Sequence, residues 1–264
     1  MLNPIALSLG PIRIHWYGIT AAAAAAACFV YTKWLNKKLH VAIPLESVIF
    51  WAIVWGFVGA RLYHVLNEFS FYVQNPLLIP ALWRGGLAIH GGIIAGVVVV
   101  VYFAKKYTVP FWKIADLLAP MILVGLSIAR WGNFFNQELF GKPTKLPWGI
   151  SIDPANRPEQ FAEFARFHPT FLYESLLNAL FVAFITWWII KKNPQHTPGK
   201  ITGAALAAFG LARFLVELLR IDRVPIILGI RLPILVSLAL IMCGSILFFR
   251  KKKKAETHVL PSTN

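Results

Sequence analysis

Arg213 and Glu217 stand four residues apart inside the apolar segment ITGAALAAFGLARFLVELLR, which ends on Arg220. The segment from Ile114 to Phe135 carries Arg130 and, three residues on, Asn133; LAIHGGIIAGVVVVVYFA opens near His90. A charge in hydrocarbon costs roughly 2.5–3.5 kcal/mol even on insertion scales, so such residues face a bundle interior or a wet cavity and are candidates for function. Arginine suits phosphate, because its planar fork donates bidentately and its charge persists at any relevant pH. Histidine is the side chain best matched to proton transfer near neutral pH. Plainer roles exist for each. Arg213, Glu217 and Arg220, at i, i+4 and i+7, share one helix face; they either lock two helices as a structural ion pair, or form a site where Glu217 orients Arg213 toward an anionic or carbonyl group. Arg130 can snorkel to the interface, Asn133 can bond a neighbouring helix, and His90 can complete an interhelical hydrogen bond.

The elements that must position these groups are membrane helices. Hydrophobic residues make up 58% of the 264, against about 45–50% in soluble domains. Seven spans, at about 15–35, 45–66, 86–104, 114–135, 169–190, 201–220 and 231–249, each approach the roughly 20 residues a bilayer needs. This predicts one polytopic, all-α membrane domain over 1–264. The net charge of +15 would suggest nucleic acid in a soluble protein, but no base-stacking or basic-helix module is present. Instead the lysines cluster between spans: Lys33, Lys37 and Lys38; Lys105, Lys106 and Lys113; Lys191, Lys192 and Lys200; and the basic tail 250–264, opening with Arg250 to Lys254. Short basic loops stay in the cytoplasm. That leaves the N-terminus outside, the C-terminus inside, and anionic lipid as the partner of the tail. Outward lie an interfacial arm at about 67–85, interrupted by Pro76 and Pro80, and a Gly- and Pro-rich head loop at about 136–168. On this topology Tyr17, His90, Arg130 and Glu217 fall at one depth, roughly 5–12 Å below the outer surface at 1.5 Å per residue.

Other polar residues read as supporting structure. Arg61, His64 and Glu68 form a stripe on the second span, structural or touching the site from the side. Asp116 suits a helix N-terminal or interface role. HPTFLYE, His168 to Glu174, places Pro169 at a helix start, with His168 and Glu174 at the mouth of the site or as caps and anchors. Gly92 and Gly96 form a small-xxx-small face for close helix approach, and Pro120 should kink the fourth span. Cys28 and Cys243 build no disulfide framework, and the seven histidines lack metal-ligand spacing. No metal or cofactor is expected, and no Walker loop, GxSxG or HExxH occurs. A transporter or flippase for a phosphoanion or phospholipid is the alternative, against which the charges cluster in the outer half and no pair of broken helices repeats.

Taken together, HWYG at 15–18, GAR at 59–61, WRGGLAIHGG at 83–92, DLLAPMILVGLSIARWGNFFNQELFG at 116–141, HPTFLYE at 168–174 and RFLVELLR at 213–220 resemble the prolipoprotein diacylglyceryl transferase family, in its order and over nearly the whole chain. The run from Arg130 to Gly141, combined with HGG, is the specific part. The resemblance implies a seven-helix bundle with a periplasmic head and arm segments in the bacterial inner membrane. It implies transfer of the diacylglyceryl group of phosphatidylglycerol to the lipobox cysteine of a preprolipoprotein, forming a thioether and releasing glycerol 1-phosphate. The family's important positions fall on Tyr17, His90, Arg130, Asn133, Glu138, Gly141, Arg213 and Glu217. On this reading His90, Arg130, Arg213 and Glu217 carry the chemistry, and Arg130, Tyr17, Asn133, Glu138 and Gly141 bind the headgroup. His90 either accepts the thiol proton or only positions. The chain departs from the family at Phe209, where Tyr is frequent, at Phe171, where Gln is usual, at Ala129, where Gly precedes the arginine, and in LGIRLPILVSLAL, which lacks a Gly-Gln pair.

Overall fold

Alanine-rich and leucine-rich stretches such as Ala21 to Ala27 favour helix, and the computed structural model, which describes residues 3–192 and 197–250, is mostly helical. In chain order the helices are α1 (Trp16–Leu39), α2 (Leu45–Asn67), the short α3 (Phe69–Gln74), α4 (Ile89–Lys106), α5 (Phe111–Phe135), α6 (Thr170–Lys192), α7 (Lys200–Glu217) and α8 (Leu232–Phe249). Among the described residues, all but α7 and α3 are long and apolar enough to cross a membrane, six helices. At 18 residues α7 matches α4 and α8 in length, but it carries Lys200, Arg213 and Glu217. The positively charged tail from residue 251 onward, and with it Lys251 to Lys254, lies outside the described residues.

The expectation of an all-α chain holds for the bundle, and among the described residues short strands occur only outside it. Three small antiparallel pairs occupy the connections: β1 (Ile5–Leu9) with β2 (Ile12–His15), β3 (Ile150–Ser151) with β4 (Arg166–Phe167), and β5 (Ile226–Ile227) with β6 (Ile230–Arg231). Strands of two to five residues are too short for a period of two to stand out in sequence. The third pair turns through Leu228 and Gly229, both at positive φ, as a tight two-residue hairpin requires.

α1 packs on α5, α2 on α4, and α7 on α8, while α5 also meets α6 and α7. The α2–α4 approach is close enough to exclude side chains. A Cβ on Gly59 would sit 2.5 Å from the Gly91 carbonyl oxygen, and one on Gly91 only 2.1 Å from that of Gly59. The small-residue face therefore runs through Gly91 and Gly92, the latter facing Gly56, whereas Gly96 faces open space. α5 continues unbroken through the buried Pro120.

The two ends of the bundle differ chemically. Lysines fill the last turns of α1, α4 and α6, where they complement the negative end of each helix dipole. Near the start of α7, the buried Asp116 of α5 accepts hydrogen bonds from the backbone N–H groups of Gly199 and Thr202 and from the Thr202 hydroxyl, each at 2.7 Å. It thus caps a neighbouring helix, satisfying amides that have no partner within α7. Leu35, Leu117, Leu123, Ile185, Ile189 and Ile201 fill the core between α1, α5, α6 and α7. The opposite end gathers the arginines.

Candidate active site

Three helix ends and two loops converge on one ion network. The last turns of α5 supply Arg130 and Asn133, the start of α6 supplies Glu174, and the end of α7 supplies Arg213 and Glu217. Arg220 and Asp222 follow α7 directly, and Arg231 ends β6 just before α8. Glu174 is buried at the centre. Its Oε1 accepts a hydrogen bond from Arg130 Nη2 at 2.7 Å, and its Oε2 lies 3.8 Å from Arg213 Nη1 and 3.9 Å from Arg220 Nη1. Glu217, equally buried, is shared as well: Oε2 lies 2.7 Å from Arg213 Nη2, and Oε1 accepts from Arg231 Nε at 2.7 Å. Arg220 Nε donates to Asp222 Oδ1 at 2.6 Å.

Burial of ionised groups is tolerable only when each is paired and hydrogen-bonded. Here four arginines (Arg130, Arg213, Arg220 and Arg231) face three carboxylates (Glu174, Glu217 and Asp222), an excess of one positive charge. Pairing is also incomplete at the donor level. Arg130 Nε and Arg213 Nη1 are buried without a hydrogen-bond partner. A net positive cluster with unspent guanidinium donors is built to receive an anion.

Around this centre the sequence candidates take distinct places. Asn133 accepts weakly from Arg130 Nη1 at 3.4 Å and donates to Glu138 Oε1 at 2.8 Å, extending the network outward from Arg130. Half-exposed Tyr17 of α1 lies against Gly132, next to Asn133: a Cβ on Gly132 would come within 2.7 Å of the tyrosine ring. Gly141 sits at a crowded joint. Its N–H donates to the His168 carbonyl, it bridges to Arg220, and a Cβ there would meet Thr170, the Leu219 carbonyl and His168 within 3.0 Å. That glycine lets the head loop close on the end of α7. Gln137, at positive φ, ties the same loop down, donating to Asp153 Oδ2 at 2.8 Å and accepting from the Asp153 N–H at 2.7 Å.

His90 stands apart. It is the second residue of α4, which is joined to α5 by a four-residue turn and packs on it, so His90 and Arg130 occupy the same end of the fold. Its ring lies 5.8 Å from that of Tyr63, and no hydrogen bond or ion pair among the described residues connects it to the network. Arg61 is likewise separate: it reaches out of α2 to the arm, donating to the carbonyls of Leu78, Ile79, Gly85 and Gly86.

Residues 4–250 match the sequence model of the family described as Prolipoprotein diacylglyceryl transferase. The chain belongs to that family. It is 40% identical over 247 residues to the phosphatidylglycerol–prolipoprotein diacylglyceryl transferase of Trichormus variabilis, covering 92% of this chain and 87% of the relative. The protein of the same name from Nostoc sp. is 38% identical over 267 residues, covering 98% and 94%. That from Synechocystis sp. is 37% identical over 250 residues, covering 92% and 87%. Membership and six apolar helices make this a multi-pass membrane protein.

Within this diacylglyceryl transferase fold, sequence reasoning underrated Glu174 and passed over Asp222 and Arg231 as site residues. Glu174 was legible as an acid five residues into an apolar helix, although its place among three arginines was not. Arg231 offered only a lone charge between LGI and LPI. Two of the departures are packing residues: Phe171 is buried against Trp131 and Phe134, and Phe209 packs on the central core.

Proposed function

We propose that the chain transfers the diacylglyceryl group of phosphatidylglycerol to the lipobox cysteine of preprolipoproteins, with the arginine end of the bundle as its active site. The observation that carries this reading is the buried, net positive network whose Arg130 Nε and Arg213 Nη1 have no partner, in a chain of this family. The thiol loses its proton, and the sulfur attacks the glyceryl carbon that bears the phosphate. The C–S bond forms as the C–O bond breaks, and the electron pair leaves on the oxygen of glycerol 1-phosphate. A free thiol has a pKa near 8.5, so proton removal needs assistance at neutral pH. His90, outside the ion network, takes that proton or positions the thiol. Arg130 and Arg213 hold the phosphate and stabilise the charge that grows on it, as preorganised donors do in a water-poor site. Glu217 orients Arg213. Tyr17, Asn133 and Glu138 border the headgroup, and Gly141 shapes the joint beneath it.

In the same reading all seven long helices cross the bacterial inner membrane as a single domain over 1–264. The N-terminus and the arginine end lie outside, and the basic tail 250–264 lies in the cytoplasm. Lysines in the last turns of α1, α4 and α6 support this orientation. Residues 67–85 form an arm on the outer surface and 136–168 the head.

The test uses purified protein, phosphatidylglycerol vesicles and a lipobox peptide with one cysteine, read by peptide mass. A diacylglyceryl mass gain on the cysteine peptide and none on its serine twin is expected. His90→Ala, Arg130→Ala, Arg213→Ala and Glu217→Ala should each lose most of the transfer while still inserting in the membrane. Full activity in two or more of them would overturn this site.

A further inference from the structure

Arg231 enters the network from a hairpin rather than from a helix. It ends the β5–β6 hairpin, whose tip residue Leu228 is 95% exposed, and it reaches inward to Glu217. Nε donates to Glu217 Oε1 at 2.7 Å, and Nη2 donates to the Asp222 carbonyl oxygen at 3.0 Å and lies 3.9 Å from the Asp222 carboxylate. Two bonds from one planar group fix the hairpin on both sides of the turn after α7.

The position of Arg231 decides what Glu217 can do. A carboxylate beside an arginine ordinarily takes both of its donors in a fork. Here only Oε2 of Glu217 faces Arg213, through Nη2, because Arg231 occupies Oε1. Arg213 Nη1 is then left buried and unpartnered, 3.8 Å from Glu174 Oε2. Arg231 also supplies the positive charge by which the network exceeds its carboxylates. Its removal frees Oε1 to swing toward Nη1 and leaves three arginines against three carboxylates. Both effects weaken the hold on an anion.

We propose that Arg231 is a positioning residue that holds Glu217 away from Arg213 Nη1 and thereby sets the affinity of the site for the phosphate of its lipid substrate. This rests on the transferase reading above for the identity of the lipid, but not for the anion site itself.

Arg231→Gln and Arg231→Lys are compared with the unaltered protein in two measurements. The first is transfer to the cysteine peptide at varied phosphatidylglycerol. The second is calorimetric titration of the detergent-solubilised protein with glycerol 1-phosphate, which needs no turnover. For Arg231→Gln, KM for the lipid and Kd for glycerol 1-phosphate should both rise about tenfold, the equivalent of one charge-assisted hydrogen bond, with kcat within about twofold. Arg231→Lys, which can still ion-pair with Glu217 Oε1, should recover most of that loss. A merely structural role would reduce the folded fraction and the maximal rate while leaving KM and Kd unchanged; that pattern, or Kd equal in all three proteins, would overturn the proposal. If the unaltered protein fails to modify the peptide, the transferase reading falls, and the glycerol 1-phosphate titration alone still decides the role of Arg231.

Discussion

Arg61 and Arg213 both sit on helices made mainly of apolar residues, yet their surroundings differ in kind. Arg61 of α2 meets no carboxylate among the described residues. Four hydrogen bonds go from its guanidinium to the carbonyls of Leu78, Ile79, Gly85 and Gly86, at 2.5–3.0 Å, and the Tyr72 ring lies 5.1 Å away. Arg213 of α7 is surrounded by charge, with Glu217, Glu174, Arg220 and Arg130 all acting on it, but its Nη1 has no hydrogen-bond partner. The first arginine has no carboxylate beside it and gives four of its five N–H donors to carbonyls. The second has its charge compensated and keeps a donor. An arginine on an apolar helix is therefore marked as a candidate binding group by a guanidinium nitrogen left without a hydrogen-bond partner, and the presence of a buried charge alone does not distinguish the two. Arg61 is a staple that folds the arm from Phe69 to Gly86 back onto α2, while Arg213 keeps a donor of the kind the proposed phosphate site requires.

The sharpest way to break this contrast is at Glu174. Removing one partner of a buried ion pair leaves the other charge uncompensated and costs about 3–5 kcal/mol. Glu174→Ala should lower stability by that amount in detergent denaturation, and transfer should fail with it. Survival of an unchanged melting transition would mean the network is solvated and the comparison with Arg61 is false.

Arg61→Ala comes next. It should release the arm, seen as faster proteolysis between residues 69 and 86, with transfer reduced less than by loss of Arg213. Arg61→Lys should not restore protection, because an ammonium lacks the planar fork that reaches four carbonyls. Loss of transfer as complete as in Arg213→Ala would place Arg61 in the reaction.

The smallest effect concerns the rim of the network. Burial pushes the Asp222 carboxyl up, but the hydrogen bond and positive charge of Arg220 outweigh it and hold it below its ordinary value. A depressed carboxylate contributes stability that is present above its unfolded pKa and disappears as pH falls through the folded one. Stability should therefore decline on the acid side of about pH 4, and Asp222→Asn should flatten that decline. An acid limb identical in the variant would remove Asp222 from the network.

Much of this arrangement could be read from sequence because it follows helix periodicity. The spacing of Arg213 and Glu217 by four residues, and of Arg130 and Asn133 by three, gave true same-face pairs. The seven long helices appear within a few residues of their expected bounds. What escaped was set by contacts distant in sequence. Glu174 joins Arg130 from 44 residues away, and nothing in either segment names the other. The Gly59–Gly91 contact depends on the crossing of α2 with α4, which a GxxxG pattern within one helix does not determine. Arg231 lies on a hairpin too short to carry a pattern at all.

The capping of α7 by Asp116 has a consequence for how the chain is made. With Lys200, Arg213 and Glu217 in 18 residues, α7 is the long helix least suited to enter lipid alone. Two acceptors for its groups lie on α5 and α6: Asp116 near its start and Glu174, 3.8 Å from Arg213, near its end. Both partner helices precede α7 in the chain, so synthesis from the N-terminus delivers the acceptors before the helix that needs them. A prepared protein surface is then in place before α7 is made, and moving α5 or α6 behind it in a rearranged gene would remove that surface when it is required.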